Sequence, residues 1–141
     1  MIALDTNVLI GVMVASSSLH GETMRGIAKL DDDLCTTPTN IGETLRLLTH
    51  PKVFTSPLKV GKAVTALSDL CRSYAIRILD EETEWWRSLG DLEKLIPGLK
   101  GNEIVDARIA ICLRQHNVRR IFTFDADFKK YPFLRVVSFV E

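Results

Sequence analysis

The sequence predicts an α/β fold with a parallel sheet covered by helices, and three observations carry that reading. Short runs rich in β-branched and aromatic residues alternate with longer segments of helical periodicity. The short runs suit a sheet buried on both faces. The chain has 141 residues, 46% apolar and 26% charged, the balance of an ordinary globular protein rather than a disordered segment or a coiled coil. That length fits one core, and no repeat, low-complexity tract or linker divides it, so residues 1–141 read as a single domain.

Ile2–Leu4 is the first strand, and helices follow over roughly Asn7–Ala15 and Gly21–Leu30. Leu34–Thr36 is the second strand, and the next helix runs from about Asn40 to Leu48, before His50-Pro51. A fourth helix covers about Pro57–Ser73, with Val60, Ala63, Val64, Leu67, Leu70 and Cys71 on one face. Ile76–Leu79 is the third strand. Glu82–Ile96 reads as a fifth helix, stopped by Pro97-Gly98, and Asn102–His116 as a sixth, opened by Gly101-Asn102. Arg120–Phe124 and Val136–Phe139 are the last two strands.

Lys plus Arg equals Asp plus Glu at 18 each, so the net charge is zero. This excludes a strongly basic nucleic-acid coat but allows a basic rim around an acidic pocket. Cys35, Cys71 and Cys112 are widely spaced, odd in number and without a CxxC pair, so buried reduced thiols are expected rather than disulfides or a zinc site. His20, His50 and His116 are equally scattered and read as surface or capping residues. The apolar run Val8–Ala15 lacks a basic segment ahead of it and is too short to span a bilayer. The expectation is a cytoplasmic protein with no membrane association.

Ligands of open α/β sheets bind beyond the carboxyl ends of the strands, which directs attention to the acids there. Asp5 follows the first strand and Asp125 the fourth. Each acid also has an ordinary explanation. Asp5 can cap the first helix, Glu43 can complete a capping box with Asn40, and Asp125 can order a turn. Asp106 is harder to explain so: between Ile104 and Leu113 every residue but Asp106 and Arg108 is apolar. A carboxylate on so buried a helix is costly unless something pairs with it. Helix-terminus placement, or pairing with Arg108 or Lys100, is the alternative, although residues two apart on a helix do not face each other.

In a doubly wound sheet, Asp5 and Asp125 lie side by side at the strand tips, with Glu43 and Asp106 reaching in from flanking helices. Several carboxylates so close cannot all stay ionised without a cation. All-oxygen ligands suit Mg²⁺ or Mn²⁺, and such an ion supports phosphodiester hydrolysis.

At these residues the sequence resembles the PIN-domain family. Met1-Ile-Ala-Leu-Asp-Thr-Asn-Val-Leu-Ile10 is similar to its opening motif, and Asn40-Ile-Gly-Glu-Thr-Leu to its second. Ile104-Val-Asp-Ala-Arg-Ile-Ala and Ile121-Phe-Thr-Phe-Asp-Ala-Asp-Phe128 are similar to its third and fourth. The four motifs stand in order across the chain, whose compact size resembles the VapC-type ribonuclease toxins of toxin–antitoxin pairs. The resemblance implies a PIN-like three-layer sandwich with strand order 3-2-1-4-5 and a Mg²⁺-dependent endoribonuclease, Mn²⁺ being able to substitute. It also implies a homodimer, an RNA substrate and a small VapB-like antitoxin. Asp5, Glu43, Asp106 and Asp125 would hold the metal and orient the attacking water. Thr6 and Thr123 would hydrogen-bond the carboxylates, and Asn7 would stand near the metal-bound water or a substrate phosphate. Asp127 either joins the cluster or closes the turn. Gly42 departs from the family pattern and implies a loosened start to the helix carrying Glu43.

Arg46, Lys52, Arg108 and Lys129–Lys130 are candidate RNA-binding cations. Trp85 and Trp86 are candidates for base stacking, with one buried and one at an interface the expected arrangement. The apolar stretches Val8–Val14 and Val60–Leu70 exceed what a small core needs, which points to a dimer or antitoxin groove. Two other readings remain: a PIN-fold RNA-binding or scaffolding module without turnover, and a Mg²⁺ phosphohydrolase. Asp125-Ala-Asp-Phe lacks the Gly-Thr such a phosphohydrolase needs, and no Gly-rich phosphate loop or GxSxG elbow occurs.

Overall fold

The computed structural model describes residues 1–137 and 139. Its five strands are β1 (Ile2–Leu4), β2 (Leu34–Thr36), β3 (Arg77–Ile78), β4 (Arg120–Phe122) and β5 (Arg135–Val137). They form one parallel sheet in the order β3-β2-β1-β4-β5. Around it lie α1 (Thr6–Met13), α2 (His20–Ala28), α3 (Pro38–Leu48), α4 (Val60–Ser73), α5 (Leu89–Leu95) and α6 (Glu103–Gln115).

Alternation along the strands sends side chains to both faces. Ala3, Cys35 and Ile121 face a core built from α5, α6 and the segment around Phe128, Tyr131 and Leu134. Ile2, Leu4 and Phe122 face a second core with Val8 and Leu9 of α1, Ile27 of α2 and Leu70 of α4. Helices α4 and α6 end alike, with Ala75 and Asn117 in the left-handed region at φ 51° and 59°. Ile76 N–H returns to Cys71 O and Val118 N–H to Leu113 O, closing each helix before the following strand.

Three expectations about elements are corrected. The fifth helix does not begin at Glu82: a 3₁₀ turn at Trp85–Ser88 precedes a short α5. Asp80–Glu84 holds four acids in five positions, and like charges disfavour a helix there. Glu81 is moreover committed elsewhere, accepting a bidentate pair of hydrogen bonds from Arg108. Helix α4 begins at Val60 rather than Pro57, because Leu58 N–H is drawn back to Leu48 O. Its Val60 and Val64 are exposed, while Ala63 and Leu67 are buried. The last strand ends at Val137, and Ser138 of the expected Val136–Phe139 lies outside the described residues. Cys35 and Cys112 are buried free thiols and Cys71 is a half-buried one. Among the described residues no helix is long and apolar enough to cross a membrane.

Candidate metal centre

Parallel pairing of β1 with β4 sets Leu4 beside Phe122, so the next residues, Asp5 and Thr123, emerge together at the carboxyl end of the sheet. Thr123 Oγ1 donates to Asp5 Oδ2 at 2.6 Å, and accepts from Asp125 N at 3.0 Å and Asn7 Nδ2 at 3.3 Å. Asn7 Oδ1 accepts from Phe124 N at 3.3 Å. The other oxygen of Asp5 accepts from Thr6 N at 2.8 Å and from Asn40 Nδ2 at 3.0 Å. Thr6 Oγ1 accepts from the same Asn40 amide at 3.1 Å. Asp5 is thus an N-cap and also a buried carboxylate held on both oxygens.

Asn40 was not among the residues the sequence singled out for the site. It read as a helix cap, but the cap of α3 is Thr37, whose hydroxyl accepts from Asn40 N, with Pro38 in the first turn. Thr-Pro at a helix start is a capping signature in its own right. Reading it would have left Asn40 as an interior polar residue in need of a partner. The shift also removes the capping-box role from Glu43, which lies a turn further on in an unbroken helix. Gly42 is exposed there and the helix is not loosened.

Carboxylate oxygens of Asp106, Asp125 and Asp127 lie within 4.8 Å of one another. Asp127 therefore stands with the cluster, and it also closes the turn, its N–H donating to Asp125 Oδ1 at 2.9 Å. Asp5 and Glu43 lie outside that tightest group, but their charges reach it. Burial, then Asp5, Asp125 and Glu43 in that order, push the Asp106 pKa up to about 7. Burial above all raises Asp5, with Asp125 adding to it, and burial followed by Asp5 raises Glu43. Arg108 does not relieve Asp106, since its guanidinium pairs with Glu81 and stacks 4.4 Å from the Trp85 ring centroid. Beneath the cluster, the buried Tyr131 hydroxyl has no hydrogen-bond partner among the described residues. Oxygen ligands alone, mutually repelling and partly buried, are the donor set a hard divalent cation takes.

The two tryptophans differ: Trp85 is half-buried under Arg108 and packs against the core, while Trp86 is 53% exposed. The histidines behave as expected. His20 Nδ1 lies 2.7 Å from Gly11 O and His116 Nε2 2.6 Å from Asp80 O, while His50 accepts from Lys52 N.

This sheet order, with carboxylates at its carboxyl end, defines a fold shared with a known group of proteins. The PIN domain matches over residues 2–134, and the chain belongs to that family. Ribonuclease VapC48 of Mycobacterium tuberculosis is 28% identical over 95 residues, which cover 65% of this chain and 63% of that protein. The match thus spans less than two thirds of the relative's length. Among solved structures, VapC20 of Mycobacterium tuberculosis, described as a sarcin-ricin loop cleaving toxin, superposes with a TM-score of 0.73 at 20% identity, covering 96% of this chain and 98% of that one. VapBC2 of Rickettsia felis bound to a promoter DNA fragment gives 0.64 at 18% identity, covering 97% and 98%. VapBC-1 of nontypeable Haemophilus influenzae gives 0.60 at 17% identity, covering 97% of each chain. At these identities the superpositions establish the fold.

Proposed function

We propose that this protein is a Mg²⁺-dependent endoribonuclease of the VapC type, the toxin of a toxin–antitoxin pair, with residues 1–141 forming one PIN domain. The observation that carries the reading is the carboxylate group at the carboxyl end of a PIN sheet, with Asp106, Asp125 and Asp127 within 4.8 Å and Asp5 and Glu43 coupled to it by charge. Asp106 and Asp125, with Asp5, Glu43 and Asp127, are the residues that would hold Mg²⁺, or Mn²⁺ in its place. When bound, the ion neutralises the phosphodiester and lowers the pKa of water near it.

The chain's own residues do the rest. Asn40, Thr6 and Thr123 fix Asp5, so its free lone pairs point one way at no ordering cost during reaction. Asn7 is anchored to Thr123 and Phe124 N–H, and its amide would meet the metal-bound water or a substrate phosphate. Asp106, protonated in part near neutrality, must release that proton for a cation to be held, which links metal binding to pH.

A partner is supported by surface chemistry. Met13, Val14, Leu48, Phe54, Leu58 and Ala66 line an open, largely apolar groove of about 660 Å³. Val53, Val60 and Val64 are exposed nearby. We assign this region to a VapB-like antitoxin segment and the homodimer contact, in a cytoplasmic protein.

The test is cleavage of a mixed cellular RNA pool with Mg²⁺, with EDTA, and by Asp5→Asn and Asp106→Asn proteins. Discrete products that require Mg²⁺ and both acids are expected. Intact RNA under every condition, from folded protein free of antitoxin, would overturn the nuclease and favour a binding module.

A further inference from the structure

A pocket of about 230 Å³ opens between α2 and the end of β4, and the nuclease reading does not use it. Phe122 forms its floor, and its ring meets those of Phe124 and Phe139 edge-on, each with centroids 5.5 Å apart. Arg25 and Lys29 stand on the rim, with Lys29 Nζ 5.7 Å from the Phe139 ring centroid. Glu22 lies on the same rim, so the local charge is positive by one. Neither Arg25 nor Lys29 makes an ion pair among the described residues. Gly26 lets α2 sit directly on the floor, since a Cβ there would run into the Phe122 ring.

The far wall is Thr123, the residue whose hydroxyl donates to Asp5 at 2.6 Å. The pocket and the carboxylate cluster therefore share a residue. A nucleic acid with one phosphate at the carboxylates must lay its neighbouring nucleotides against the adjoining walls. This wall offers the rings of Phe124 and Phe139 for a base and two cations without an ion-pair partner among the described residues for a phosphate, the pairing that single-stranded nucleic acids seek. The volume is below the roughly 300–1,000 Å³ of ordinary small-molecule sites, in keeping with one base rather than a whole cofactor.

We infer that this pocket is a nucleotide subsite: it takes the base next to the cut phosphodiester against the partly exposed rings of Phe124 and Phe139, which the buried Phe122 backs from below, while Arg25 and Lys29 hold the adjoining phosphate. The inference rests on the nuclease reading for its geometry, and binding and cleavage test it separately. In the binding arm, Asp106→Asn protein is titrated against a fluorescein-labelled 12-nucleotide oligoadenylate and the matching abasic ribose-phosphate 12-mer. The base-bearing strand should bind about 5- to 150-fold tighter, the contribution of one stacked base. Adding Phe124→Ala should shrink that ratio. Adding Arg25→Gln, on the exposed face of α2, with Lys29→Gln, the exposed residue that caps it, should weaken binding of both strands and flatten its salt dependence.

In the cleavage arm, product ends from an RNA pool are mapped for the otherwise wild-type protein and for Phe124→Ala. The base composition beside the cut should change. Equal affinity for the two strands, or variants that leave the ratio, the salt dependence and the cut-site composition unmoved, would overturn the subsite. That result would also follow if the pocket held an apolar side chain of a protein partner. Base-dependent binding without any wild-type cleavage would sink the nuclease and keep the subsite; cleavage indifferent to the flanking base would do the reverse.

Discussion

Asp106 sits where burial and three other carboxylates oppose its own charge. With its pKa near 7, the folded chain keeps a proton that the unfolded chain releases near pH 4. The associated stability is present at low pH and is lost as pH rises toward and through 7. Asp32, lowered to about 2, works in the opposite sense but has finished titrating well below pH 5. Metal-free protein should therefore melt lower at pH 8 than at pH 5.5. Asp106→Asn should raise the melting temperature at pH 8 by about 2–6 °C and flatten the dependence. Thermal scans in EDTA measure this, and a destabilised Asp106→Asn would contradict it. Thr123→Val removes a hydroxyl that donates to Asp5 and accepts from Asp125 N and Asn7. Mn²⁺ affinity should fall about 10–100-fold by calorimetry; unchanged affinity would leave Thr123 a packing residue only. At this scale the acids were legible in the sequence because each follows a strand or interrupts an apolar helix. Asn40 was not, because its role depends on a cap three residues earlier that was placed too late.

Among the elements, α4 ends on a residue poorly suited to its conformation. Ala75 at φ 51° carries a Cβ that a left-handed residue tolerates at a cost of about 1–2 kcal/mol, while Asn117 at the end of α6 belongs to a type that adopts it more readily. Ala75→Gly should stabilise the protein by about 0.5–1 kcal/mol after the added chain entropy of glycine, read as a higher urea midpoint with an unchanged slope. The Glu82–Ile96 segment was misread as one helix because periodicity does not reveal a tertiary commitment. Arg108 binds Glu81, Glu81 accepts from Thr39 of α3 at 3.4 Å, and Trp85 lies under the guanidinium. These bonds, with the like charges of Asp80–Glu84, hold the chain in a turn where apolar periodicity alone reads as a helix. Arg108→Ala should cost about 1–2 kcal/mol in urea unfolding, less than a fully buried pair because the arginine is 39% exposed. A neutral result would make the clamp ornamental.

For the molecule as a whole, the alternation of strands and helices made the layers legible, and the strand order followed only from the family resemblance that the four acidic motifs carry. Periodicity alone does not distinguish 3-2-1-4-5 from other parallel orders. The apolar surplus on α4 was legible in part: Val60 and Val64 stand 65% and 45% exposed, so the helix carries more apolar surface than this core uses. Light scattering of the free protein should give a dimer mass, and Val60→Lys with Val64→Lys should shift it toward monomer. A monomer at the outset would contradict the dimer assignment.

The sheet order also bears on how the molecule comes into being on the ribosome. The central strand β1 is made before either of its neighbours, β2 following first and β4 only after β3. Asp5 waits for Thr123, 118 positions later, and for the aspartates just beyond it. A nascent chain therefore carries no assembled cluster until β4 and the turn beyond it have been made, since closing so long a connection comes late and slowly. Any chemistry performed by these carboxylates is withheld from the ribosome and its messenger until the turn that carries Asp125 and Asp127 has been made.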